Sequence, residues 1–389
     1  GIYVKGDAGK LVIGGFEPRA KCWDAHGPEG DRPFLELPED WDQFTPFMEA
    51  ALALIPGLER IGIQHFMNGP ESFTVDSRPL IGESPALDGL FVAAGMNSVG
   101  VMSSAGVGRV LADWMRDGHA PMDMWEVDIA RVDPLAAADA HVQARMAEAV
   151  EDVFALHWPF KQPKAGRGLR RSALHDCWAR QGAVFGLTAG WERGLWYAQD
   201  ASERDLPYSV GAQAWYPIAR REASVMADGV ALLDLAPFPL LRRGAARFRL
   251  TSGAATRWRD AAWLRRHAAG HRVSIEDVTE TEAVIGVMGA GTRAILAGLS
   301  ADDWQDFPFS TARAVTVAGQ ACMAARVSFV GELGWELSIP VEGAGPVFDA
   351  LIGAGGRPMG HQALDACRIE KGFRHMGHDL GPDITPLEA

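Results

Sequence analysis

The sequence predicts a multidomain α+β protein. Its 389 residues, 48% hydrophobic and 22% charged, are enough to bury two or three cores. Strand-like runs alternate with helix-spaced runs along most of the chain. Between His119 and Ala173 the pattern changes, and prolines flank an alanine-rich stretch that reads as a connector. The expected divisions are 1–118, 119–173 and 174–389. This composition excludes a small disulfide scaffold and wholesale disorder.

In the first division Ile2-Tyr3-Val4-Lys5 and the run Lys10 to Phe16 read as strands, the second broken by glycine. Trp41 to Leu54 carries helix spacing and stops near Pro56-Gly57. The run Asn68 to Pro79 is rich in Gly, Pro, Asn and Asp and reads as a loop. Gly89 to Ala94 is a buried-type strand, Gly95 to Gly100 a loop, and Val101 to Met115 a helix with small or apolar residues on one face. In the connector, Pro121, Pro134, Pro159 and Pro163 flank a helix from Leu135 to Val153. From Leu174 onward, strands at Val230–Leu235, Ala283–Met288 and Ala324–Val330 alternate with helices at Arg220–Ala227 and Gly343–Ala354.

Lys and Arg number 37 against 50 Asp and Glu, a net charge of −13 that repels polyanions. Neither nucleic acid nor a membrane is an expected partner. The most apolar stretch, Leu90 to Val110, is interrupted by Asn97, Ser98, Ser103, Ser104 and Arg109, so no transmembrane helix is expected. Cys22, Cys177, Cys322 and Cys367 lie far apart without zinc spacing, which fits a reducing, cytoplasmic setting. No signal peptide or presequence is read at Gly1, and both ends read as cut, so the chain is expected to be a fragment.

Several motifs invite a chemical reading. Gly289-Ala290-Gly291-Thr292-Arg293-Ala294 fits a dinucleotide fingerprint, but Asp302, Asp303 and Asp306 come too soon to hold a ribose, so a plain strand-to-helix turn is expected. Gly95-Met96-Asn97-Ser98-Val99-Gly100 joins a buried strand to a helix N-terminus, a place suited to phosphate or an electron-rich ring edge, though a simple glycine-rich connection explains it as well. No nucleophile elbow, HExxH or P-loop occurs. His375-Met376-Gly377-His378-Asp379 has metal-ligand types but reads as a hydrogen-bonded turn, and no metal is expected. In Gly331 to Leu337 the alternation puts Trp335 and Leu337 on one face and Glu336 on the other, where a carboxylate could accept an aminopyrimidine edge or simply meet solvent.

Together these runs are more specific. Asn68 to Thr74, Gly95 to Gly100, Leu169-Arg170-Arg171-Ser172, Gly190-Trp191-Glu192-Arg193, Gly331 to Leu337, Arg368 to His375 and Thr385 to Ala389 resemble, in the same order, the dimethylglycine/sarcosine dehydrogenase family. The resemblance covers nearly the whole chain. It implies the C-terminal part of an amino-acid-oxidase-like flavin domain, a connector, and a folate domain like the glycine-cleavage aminomethyltransferase. The implied cofactors are FAD and tetrahydrofolate, and the implied substrate is a small N-methyl amino acid, with the electron acceptor unassigned. Carried over, Gly95, Met96, Asn97, Ser98, Val99 and Gly100 look like the segment that touches the flavin. Glu336, flanked by Leu337 and Ser338, looks like the pterin-binding glutamate, with Phe329 where an aromatic is usual and Glu332 as second choice.

The departures from the family pattern shape the functional expectation. Its dinucleotide-binding fold lies upstream of anything present, and after Leu232 to Phe238 the sequence passes to Phe248-Arg249-Leu250 without the segment that bears the catalytic aspartate. Asp234 is not that residue, so no catalytic residue is assigned. The resemblance implies FAD-dependent oxidative demethylation of dimethylglycine or sarcosine with one-carbon transfer to tetrahydrofolate in the complete protein. This chain alone is expected to be inactive and to lack a flavin band. The alternative is a non-catalytic folate-binding or interaction module.

Overall fold

The structure, a computed structural model, describes residues 1–23, 35–154, 160–235, 242–243, 248–250, 253–375, 379–381, 384–385 and 387–388. They form two compact units: the described residues of 1–129, 134–157 and 163–166, and those of 130–133, 158–162 and 167–389. Of the expected connector, the helical stretch therefore packs with the first unit and 167–173 with the second.

In the first unit β1 (Ile2–Asp7) and β2 (Lys10–Gly15) form an antiparallel hairpin. Its two-residue turn, Ala8-Gly9, has both φ angles positive, the geometry that matches strand twist. Helix α1 (Trp41–Leu54) starts where Asp40 accepts the Gln43 N–H at 3.0 Å. Strands β3 (Leu80–Glu83) and β4 (Phe91–Ala94) pair antiparallel, and a loop leads from β4 into α2 (Gly100–Asp117). α2 ends at left-handed Gly118, whose N–H reaches Trp114 O at 2.8 Å. Helix α3 (Asp139–Phe154) takes up most of the alanine-rich stretch.

The second unit begins with α4 (His175–Arg180), the hairpin β5 (Ala183–Thr188) and β6 (Trp191–Tyr197), and α5 (Tyr216–Asp228). There follow β7 (Ala231–Asp234), the short pair β8 (Arg242–Arg243) and β9 (Phe248–Arg249), α6 (Arg257–Ala268), β10 (Glu282–Met288) and α7 (Thr292–Leu299). The rest is β11 (Ala312–Val317), β12 (Gln320–Ala325), β13 (Gly334–Pro340), α8 (Val341–Gly353), β14 (Arg357–Pro358) and α9 (His361–Glu370). A six-stranded sheet runs in the order β11-β12-β13-β10-β7-β14, antiparallel except for the parallel β7–β14 edge.

Alternation along the central strands builds two cores, one on each face of the sheet. Ala283, Ile285 and Val287 of β10 join Trp335, Leu337 and Ile339 of β13 in a core that includes Trp178 of α4, Leu296 of α7 and Val347, Phe348 and Leu351 of α8. Val284 and Met288 point the other way, into a core with Ala219 and Met226 of α5 and Ala363, Leu364 and Cys367 of α9. Full burial of each large aliphatic side chain here stabilises the unit by about 2 kcal/mol.

Mixed helix and sheet is thus the architecture. One expected strand is displaced: instead of Ala324–Val330, pairing covers Gln320–Ala325. Arg326 still exchanges backbone bonds with Thr311 and Ser310, and the chain then leaves the sheet. Val330 is buried by packing into the second core rather than by strand pairing, so its apolarity mimicked a strand. α2 and α5 begin earlier than expected, at Gly100 and Tyr216. Among the described residues no helix is long and apolar enough to cross a membrane.

Candidate functional site

The expected site residues fall into two groups, Gly95 to Gly100 in the first unit and Phe329, Glu336, Leu337 and Ser338 in the second.

The first group is the loop between β4 and α2. Gly95, Asn97 and Ser98 have φ angles of 60, 47 and 69°. Two successive non-glycine residues in this region persist only when their surroundings hold them. Asn97 is 2% exposed. Its Oδ1 accepts the Thr74 N–H at 2.9 Å and its Nδ2 donates to Gly95 O at 2.6 Å. A Cβ on Gly95 would collide with the Thr74 methyl, so the position needs glycine for both space and conformation. The Asn97 amide is thus spent on shaping the loop. Ser98 is exposed and donates from Oγ to Glu71 at 3.1 Å, while Met96, Val99 and Gly100 are half-buried. α2 opens without a side-chain cap, leaving first-turn amides without intrahelical acceptors at the positive end of the helix.

The second group centres on Glu336. In β13 it stands opposite Gly286 of β10 and Ala325 of β12. It shares a sheet face with Ser338, whereas Trp335 and Leu337 are fully buried in the opposite core. The Leu337 side chain therefore points away from anything Glu336 could hold. Among the described residues Glu336 has no hydrogen-bonding or ionic partner, and burial alone pushes its carboxyl up to about 7. Glu332 is different: it pairs with Lys371 at 2.9 Å and is partly in solvent. Phe329 borders the same face's core and stacks loosely on Phe373, with ring centroids 6.4 Å apart. Next to it in sequence, the Ser328 Oγ is buried and has no hydrogen-bond partner among the described residues, a feature a serine within an apolar run does not announce. A buried carboxylate with no donor among the described residues can, when ionised, accept a paired set of N–H groups, as an aminopyrimidine edge presents.

The other motifs have structural partners. In the Gly289 turn the amides of Gly289, Ala290 and Gly291 donate to Leu333 O, Met226 O and Gly229 O at 2.8, 3.1 and 3.1 Å, so none is left for a pyrophosphate. Arg170 pairs with Asp133 and Glu280, and Glu192 with Arg167. Burial pushes the Glu192 carboxyl up, but the Arg167 guanidinium and the Gly168 N–H outweigh it and hold it low. Asp234, 4% exposed, accepts from Ser172 Oγ at 3.0 Å with the Arg193 guanidinium 3.9 Å away. Among the described residues no group of three or more His, Cys, Asp or Glu converges on a metal position. Residues 376–378 of the His375 to Asp379 run lie outside the described residues, as do 236–238.

Comparison with known proteins assigns three successive domain models to the chain: FAD dependent oxidoreductase over residues 1–114, FAD dependent oxidoreductase central domain over 117–172, and GCVT N-terminal domain over 238–389. 4-Methylaminobutanoate oxidase (formaldehyde-forming) of Paenarthrobacter nicotinovorans is 34% identical over 441 aligned residues, which take in 100% of this chain and 53% of that protein. Mitochondrial sarcosine dehydrogenase of Mus musculus is 29% identical, with 100% of this chain and 52% of that protein covered. Mitochondrial dimethylglycine dehydrogenase of Rattus norvegicus is 26% identical, again with 100% and 52% covered. The chain spans about half the length of the curated relatives it matches.

Proposed function

We propose that this chain, a member of the dimethylglycine/sarcosine dehydrogenase family, contributes to FAD-dependent oxidative demethylation of an N-methyl amino acid, dimethylglycine or sarcosine, with transfer of the one-carbon unit to tetrahydrofolate in the complete protein. In this reading 1–118 is part of the flavin domain, 119–173 the connector and 174–389 the folate domain. In this reading the setting is a reducing, cytoplasmic one, in which the four cysteines stay as thiols.

The observation that carries the folate half is Glu336, a desolvated carboxylate on a central strand that has no partner among the described residues. It would accept N–H groups of the pteridine, and Phe329, which borders the core on the same side of the sheet, would offer an aromatic face. On the flavin side, the uncapped start of α2 and exposed Ser98 suit the carbonyl edge of an isoalloxazine. When bound, FAD supplies the hydride acceptor and tetrahydrofolate the one-carbon acceptor. This chain's residues orient both groups: the 95–100 loop fixes where the amides of α2 point, and β13 fixes the carboxylate.

Calorimetric titration of the chain with tetrahydrofolate tests the reading. Saturable binding that a simple tetrahydropterin also competes for supports recognition of the pteridine. Absence of binding, or binding that only the glutamate-bearing end of the molecule competes for, overturns the assignment of this face.

A further inference from the structure

The flavin-side loop is held from a second element that no motif marked. Arg145 sits in the middle of α3, only 6% exposed, and its Nε donates to the Val75 carbonyl at 3.0 Å, seventy residues away in sequence. Its Nη1 donates to Glu148 at 2.7 Å, and Asp152 lies 3.6 Å from Nη2. Glu148 in turn accepts the N–H groups of Lys164 and Ala165 at 3.0 and 2.8 Å, so the guanidinium is oriented by partners that are themselves fixed. One turn along α3, the Ala149 carbonyl accepts from Ser77 Oγ at 2.7 Å, a second tether to the same loop.

Val75 directly follows Thr74, and Thr74 is the residue that grips Asn97. A continuous set of bonds therefore runs from α3 through Val75 and Thr74 to Asn97, and from Asn97 to Gly95 O. A buried cation is a poor way to gain stability, because desolvation offsets much of the attraction to its carboxylates. What a planar, multiply bonded guanidinium supplies is orientation. The segment it orients holds the left-handed residues 97 and 98, which need external support.

We propose that Arg145 is a positioning residue for the flavin-facing segment Gly95–Gly100, acting through Val75, Thr74 and Asn97. The proposal rests on the reading that this segment faces the flavin, and it extends that reading to a residue of α3. Lysine at 145 keeps the charge but cannot donate to Val75 O and Glu148 in the same fork, so it does not replace arginine.

Hydrogen exchange on the full chain tests this. In Arg145→Lys the amides of 72–78 and 95–100 should exchange roughly five- to tenfold faster while those in the middle of α2 stay unchanged. Ser77→Ala, a milder loosening of the same loop, should move the same amides by a smaller factor and covers the case that Arg145→Lys does not fold. Faster exchange confined to α3 and 163–166, with 95–100 unaltered, overturns the proposal. FAD added to the complete protein, dinucleotide-binding half included, tests the underlying reading separately: protection of 95–100 supports it, and no protection in a protein that binds FAD overturns the flavin assignment while leaving the Arg145 result to stand on its own.

Discussion

Asn97 Oδ1 accepts the Thr74 N–H at 2.9 Å, joining two loops that are 23 residues apart and fixing the strained entry to α2. Asn97→Ala removes that acceptor inside a buried site and puts a less tolerant residue at φ 47°. The expected loss is about 1–3 kcal/mol in urea unfolding of the chain. Asn97→Gly relieves the backbone and should lose less than alanine; an alanine variant as stable as wild type would show the bond to be dispensable.

Glu222 of α5 is a buried latch. Its carboxylate accepts the Tyr197 N–H at 2.6 Å and the Gly360 N–H at 2.8 Å, tying β6 to the start of α9. Burial pushes its pKa up to about 7, against the pull of the two amides. Glu222→Gln sets an amide group where two acceptor oxygens are needed, and should cost about 1–3 kcal/mol despite the loss of a buried charge. Equilibrium unfolding at neutral pH checks it.

Glu336 should respond in the opposite sense. Its folded-state pKa of about 7 lies above the value of 4.5 for an ordinary glutamate, so the folded protein holds a proton the unfolded chain gives up. Its contribution is fully present below about pH 4.5 and is lost as pH climbs through about 7. Glu336→Gln removes that penalty, and should raise stability at pH 8 by about 1–3 kcal/mol with little change at pH 4. A variant destabilised at pH 8 would mean the carboxylate has a structural partner.

Gly360 tests how closely α9 docks on β6. A Cβ there would land on the Leu195 carbonyl and within 2.6 Å of Trp196 Cα, both backbone atoms that cannot swing aside. Gly360→Ala should cost at least about 3 kcal/mol and separate the two elements that Glu222 latches. A melting temperature within a few degrees of wild type would contradict this packing.

Much of this organisation was legible because local rules and tertiary packing agree. α1 ends where Pro56-Gly57 demands, and β10 with its following turn and α7 fall where apolar alternation gives way to glycine. The face of Glu336 was readable from period-two alternation alone. That it has no partner among the described residues was not, because this depends on Gly286 and Ala325, which reach it only through sheet register. Asn97 reads in sequence as a polar residue in a glycine loop, yet its side chain turns inward to Thr74, a contact no local pattern encodes. The charged residues that carried the family resemblance, Arg170, Glu192, Arg193 and Arg368, lie in buried ionic clusters, so their motifs mark the scaffold more than the site. Val330 misled because an apolar residue buried in a loop looks like a strand residue in sequence.

The most direct test is calorimetric titration of wild type and Glu336→Gln with tetrahydrofolate at pH 8, side by side with their unfolding curves. The account predicts one-site binding by wild type and at least about a tenfold weaker affinity in the variant, whose stability is equal or higher. Equal affinity in a folded variant would contradict the assignment of Glu336 as the pteridine-holding carboxylate and, with it, the folate-linked function.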